Sequence, residues 1–155
     1  MQGRGQSVPI LPCMQLSTVG YQGRTVEELI DVLRRANVEL VLDVRAEAWS
    51  RRGAFSRRSL GIALVAAGFA YRHERMFGTR RDPREPFAST GDWEAYARAY
   101  RDVLVSQENL LEITRAELEG RRVCLLCLEA DASQCHRSLL AEALCEGSGA
   151  EPVHL

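Results

Sequence analysis

The chain contains no lysine; all 20 of its basic residues are arginine. That excludes Schiff-base chemistry and any phosphate loop built on a lysine. What remains is a set of planar, permanently charged guanidinium forks that suit carboxylate or phosphate. Aromatic residues are scarce, at 6%. No apolar run is long enough to span a bilayer: Gly61 to Tyr71, uncharged throughout, falls well short of the ~20 residues required. No Gly-x-Gly-x-x-Gly or P-loop is present, so nucleotide cofactors of those kinds are unsupported. A phosphatase loop of the Cys-x5-Arg kind is missing too, because Ser133 and Ala130 stand six residues after Cys127 and Cys124. A general excess of one charge sign is also lacking. Twenty basic residues meet 21 acidic ones, which excludes a uniformly basic nucleic-acid coat but not a local patch.

What is there is globular: 155 residues, 46% hydrophobic and 26% charged. One domain with a proper core is expected, without a metal or disulfide staple. The Gly-, Gln- and Pro-containing start reads as a leader over residues 1–13, with no signal peptide, before a single domain over 14–155. Five cysteines without a secretion signal read as reduced thiols in a cytosol.

The elements alternate. Strands are expected at Leu16–Tyr21, Leu40–Val44, Phe69–His73 and Val123–Leu128, with a fifth, edge strand over Pro152–Leu155. Thr25 and Glu28 form a capping box ahead of Val26, Leu29, Ile30 and Leu33 at helical spacing. Ser56 opens a second helix that Gly68 closes, and Arg80–Asp92 is a long loop. Asp92 caps a long helix running to Gly120 with a break near Ser106–Asn109, and a last helix starts at about Gln134. Apolar strands each followed by a helix predict an α/β fold, a mostly parallel sheet with helices on both faces. Ligands of such sheets bind beyond the carboxyl ends of the strands.

The residues at that edge are unusually polar. Cys127 and Glu129 share one strand face, and Cys135-His136-Arg137 begin the next helix, where free N–H groups and the dipole favour an anion. A thiol placed there is expected to have a lowered pKa. Asp43 and Arg45 face the same way at the end of the second strand, suited to a ligand or to a salt bridge. Arg51, Arg52, Arg57 and Arg58 interleave with Trp49 and Phe55, a pattern for phosphate contact and base stacking, and Arg80, Arg81 and Arg84 extend it. No metal is expected. Cys124 and Cys127 point to opposite strand faces, and adjacent Cys and His ligands are awkward, so a site from Cys127, Cys135 and His73 is the weaker reading.

The order of motifs resembles the domain of unknown function 488 family. The residues that carry it are Thr18-Val19-Gly20, Asp43-Val44-Arg45, Ser50-Arg51-Arg52 with Phe55-Ser56, Leu125-Leu126-Cys127-Leu128-Glu129, Cys135-His136-Arg137 and Leu140-Ala141-Glu142. The resemblance implies a compact α/β domain of bacterial or archaeal type and brings no established activity. Many relatives carry His-Ser where this chain has Tyr21-Gln22, proline near Ala48, and Leu-Gly-Gly in place of Phe77-Gly78-Thr79. The leading expectation is an enzyme on a small anionic or nucleotide-like substrate, needing no cofactor. Cys127 or Cys135 is its nucleophile, Glu129, His136 and Asp43 serve as acid or base, and Arg45, Arg137, Arg51 and Arg52 hold the anion. The alternatives are a nucleic-acid-associated module on the arginine loop and a redox- or metal-responsive thiol protein. No membrane partner is expected, and the edge strand leaves a homodimer open.

Overall fold

The computed structural model describes residues 14–79 and 91–155. The leader, and Arg80, Arg81 and Arg84, lie outside the described residues. In chain order the elements are β1 (Gln15–Gly20), α1 (Val26–Arg35), β2 (Leu40–Asp43), α2 (Arg57–Ala66), β3 (Ala70–His73), α3 (Trp93–Ser106), α4 (Glu108–Leu118), β4 (Arg122–Cys127), α5 (His136–Cys145) and β5 (Val153–His154). The Thr25 capping box is present in both directions, and Gln107 makes the expected break between α3 and α4. No helix among the described residues is long and apolar enough to cross a membrane.

All strands run parallel, in the order β3-β2-β4-β1-β5. Alternation of side chains sends Leu40, Leu42, Val44, Val123 and Leu125 to one face, where they pack on α3, α4 and α5. It sends Val19, Val41, Cys124 and Leu126 to the other, against Leu29 and Leu33 of α1 and Leu60 and Leu64 of α2. Each such leucine, fully removed from water, contributes about 1.5–3 kcal/mol.

The connections leaving β1 and β4 diverge. The chain from β1 passes β4 to reach β2, and the chain from β4 passes β1 to reach β5. Neighbouring strands whose connections diverge open a crevice at their carboxyl ends. Here the backbone at Glu129 and Ala130 folds over the end of β1 and fills it, so the polar residues of this edge lie on either side of the plug rather than in it.

Candidate functional site

The register decides which residues meet. Asp43 pairs with Leu126, which places Cys127 level with Val44, one residue further along. A one-residue offset is a change of face. Asp43 and Arg45 therefore stand on the α1/α2 side, and Cys127 stands on the α3–α5 side. The polar edge anticipated as one site is two clusters back to back.

On the α1/α2 side, Arg45 is buried and grips Asp43 with two bonds, Nε to Oδ1 at 2.8 Å and Nη2 to Oδ2 at 2.6 Å. Its Nη1 donates to the Tyr21 hydroxyl at 3.2 Å and to the Phe55 carbonyl at 2.9 Å. Tyr71 donates its hydroxyl proton to Asp43, and His73 Nε2 lies 2.7 Å from the Arg45 carbonyl oxygen. Burial works against the Arg45 charge, but the hydrogen bond and attraction of Asp43 outweigh it and raise the pKa. Burial, then the Asp43 charge, pushes the Tyr71 phenol up. Tyr21 is stacked on Phe55 with ring centroids 4.4 Å apart. This cluster ties β1, β2, β3 and the loop after β2 together, the salt-bridge reading of Asp43 and Arg45. Phe55 is fully buried and is not available for base stacking.

On the other side, Cys127 and Cys135 both donate their thiol protons toward Glu129 Oε2, each at 3.2 Å. His136 Nδ1 lies 3.9 Å from Cys127 Sγ. Its Nε2 lies 3.1 Å from the Val44 carbonyl oxygen. A carbonyl only accepts, so Nε2 carries the proton and Nδ1 presents its lone pair to the thiols. The Tyr100 ring meets the imidazole edge-on at 5.4 Å. Cys127, Cys135 and His136 are buried, whereas Glu129 is half-buried and forms the outer wall. Adjacent Cys and His turn out not to be awkward. Cys135 is the extended residue that caps α5 and His136 is the first helical residue, so both side chains reach one point.

The lowered thiol pKa expected at this helix start is not found. The hydrogen bond with Cys127, and then burial, push the Cys135 thiol up. Tyr96, whose pKa burial raises, feels the charges of Cys135, Glu129 and Cys127. Tyr96 and Tyr100, four residues apart on α3, were not anticipated at the site. Their helical spacing was the available signal.

Arg137 stands one residue beyond. It is 1% exposed and donates to Thr18 Oγ1 at 3.2 Å and to the carbonyls of Glu129 and Ala130. Thr18 in turn donates to His154 Nδ1 at 2.7 Å. Arg137 thus grips the loop backbone rather than the Glu129 carboxylate, and no carboxylate of the described residues pairs with it. Arg51, Arg52, Arg57 and Arg58 are exposed on the far side of the sheet. Arg52 lies over the Phe55 ring and donates to the Arg24 carbonyl.

Fold and cluster together define an all-parallel α/β domain with a thiol–carboxylate–imidazole group at the carboxyl edge of its sheet. Residues 25–144 match the family model described as Domain of unknown function DUF488, and the chain belongs to that family. No curated protein and no solved structure matches the chain.

Proposed function

We propose that the protein is an enzyme whose reaction takes place at Cys127, Glu129, Cys135 and His136. The observation that carries this reading is the sharing of one carboxylate oxygen by two buried thiols, 3.2 Å from each, beside an oriented imidazole. One carboxylate oxygen in contact with two buried thiols gathers three ionisable groups at a single point of the sheet's carboxyl edge. Such groups gather where chemistry needs them. In this reading the half-buried Glu129 faces the substrate as acid or base, His136 Nδ1 receives the Cys127 proton, and the Val44 carbonyl holds the ring in that tautomer. The substrate is small and anionic or nucleotide-like. Arg45 and Arg137 position the loops instead of touching it, since their donors are engaged within the protein.

The test is a panel of phosphate esters, nucleotides and small carboxylates, assayed with and without added divalent metal. Turnover of one class is expected, reduced at least ~100-fold in Cys127→Ser and in Glu129→Gln. Full turnover in both variants would place the reaction elsewhere.

A second reading has its own observation. Arg57, Arg58, Arg72, Tyr71 and His73 line an open groove along α2 and β3, and Trp49, 68% exposed, stands on the loop leading into α2. Cations along a groove, with an exposed indole on the preceding loop, suit a phosphate backbone with stacked bases. Binding of single-stranded nucleic acid that weakens steeply with salt, and weakens further in Trp49→Ala, would favour this reading.

A further inference from the structure

We infer that Cys127, Cys135, His136 and Glu129 form a binding site for one zinc-like divalent cation. The inference names a cofactor for the centre proposed above and rests on that reading for its part in catalysis. With a cation bound, His136 Nδ1 is a ligand and the cation, in place of the imidazole, stabilises the Cys127 thiolate. The binding itself rests on geometry alone.

The ligand atoms of Cys127, Cys135 and His136 all lie within 4.8 Å of one another. Glu129 Oε2 joins them at 3.2 Å from both sulfurs. In tetrahedral zinc, with bonds of roughly 2.0–2.3 Å, sulfur and a neighbouring oxygen or nitrogen stand about 3.5 Å apart. The observed separations of 3.2, 3.2 and 3.9 Å bracket that value. Cys127, Cys135 and His136 thus offer three corners of a coordination tetrahedron. Glu129 Oε2, which meets the two sulfurs but lies outside that close group, supplies the fourth only by turning toward His136.

The surroundings fit as well. A metal-binding histidine characteristically donates its other ring N–H to a carbonyl or carboxylate, which fixes the tautomer. His136 does this through the Val44 carbonyl. Two sulfurs, one nitrogen and one carboxylate oxygen select a borderline cation over magnesium or calcium, which take oxygen ligands. Binding drives the two thiol protons to solvent and leaves two thiolates, one carboxylate and a dication, a net charge of −1. Arg137, buried one residue beyond His136 and paired only with neutral oxygens, lies where it balances that charge. The half-buried Glu129 leaves an entry from solvent.

The test uses the full chain, purified reduced, stripped with a chelator, and titrated with cobalt(II) and then zinc. One equivalent of cobalt should bind, with thiolate-to-cobalt charge-transfer bands, the intense visible bands of a tetrahedral field, and release of two protons. Zinc should displace it and protect Cys127 and Cys135 from alkylation. Cys135→Ser and His136→Gln should lower zinc affinity at least ~100-fold while circular dichroism shows an unchanged fold, and Glu129→Gln should alter the cobalt spectrum. Where a variant does not fold, the protection experiment on the unsubstituted protein decides. Failure to bind cobalt, an octahedral spectrum without sulfur bands, or equal alkylation with and without zinc overturns the inference. Turnover by metal-free protein would then leave the enzyme reading standing. Tight binding with no turnover either with or without metal would leave the metal site standing and remove the enzyme reading.

Discussion

Gly20 has no room for a side chain. A Cβ there would lie 1.8 Å from the Glu129 carbonyl oxygen. That oxygen accepts from Arg137 Nη1, whose Nε bonds Thr18 Oγ1 two residues before the glycine. Thr18 and Gly20 therefore act on the same loop from the same strand, one through a hydroxyl and one through the lack of a side chain. Gly20→Ala is expected to lower stability by about 1–3 kcal/mol, the usual effect of overpacking. It should also shift the backbone amide resonances of Glu129 and Ala130 more than those of β4. Thermal melts and a two-dimensional amide spectrum check this, and unchanged stability would mean that the loop yields freely. None of it was legible in the sequence. Thr-Val-Gly is a common triplet, and its meaning depends on a carbonyl more than 100 residues away.

Elements were easier to read than their arrangement. Short, nearly continuous apolar runs marked β1 to β4, the Thr25–Glu28 pair marked the start of α1, and the polar stretch at Ser106–Asn109 marked the break between α3 and α4. These are local signals, carried by neighbours in the chain. Strand order and register are not local, and they alone separate Asp43–Arg45 from Cys127–Glu129. The meeting of Cys127 and Glu129 was expected from strand alternation and is present even though β4 ends at Cys127 and Glu129 lies in the loop beyond it, whereas the meeting of Cys135 and His136 needed the backbone turn at the α5 cap. The short β5 shows how little chain an element needs. Its two residues cover the outer side of β1, Leu155 N–H donates to the Thr18 carbonyl at 2.8 Å, and His154 accepts from the Thr18 hydroxyl. Deleting residues 152–155 strips those partners from a buried threonine, at about 1–3 kcal/mol for each group left unsatisfied. It also bares the edge of a parallel sheet. A lower melting temperature and concentration-dependent self-association by sedimentation are expected. A monomer as stable as the full chain would show that β5 adds nothing to the edge.

At the scale of the whole molecule, the two faces of the sheet hold different chemistry, and both bury protons. Cys124, fully buried against α1 and α2, has its thiol pushed up to about 12 by burial. Tyr100, on the opposite face, donates its hydroxyl to the Phe77 carbonyl at 2.7 Å, and burial raises it well above the usual phenol value. In the unfolded chain these groups ionise near ~8.5 and ~10. Between the unfolded and folded values the native state keeps protons that the unfolded state has lost. Stability is therefore complete below about pH 8.5 and falls as the pH rises, by about 1.4 kcal/mol per pH unit for each retained proton. Urea midpoints of metal-free, reduced protein, taken from neutral pH to about pH 10.5, should decline first through Cys124 and Cys135 and more steeply once Tyr71, Tyr96 and Tyr100 take part. Cys124→Val should make the first limb shallower by one retained proton, leaving the Cys135 share, and leave the second limb unchanged. Tyr100→Phe should make only the second limb shallower, leaving the Tyr71 and Tyr96 share, from a lower starting stability because the Phe77 carbonyl loses its partner. A profile level across this range would mean that water reaches both faces of the sheet at these positions, and that the core separating the two clusters is not closed.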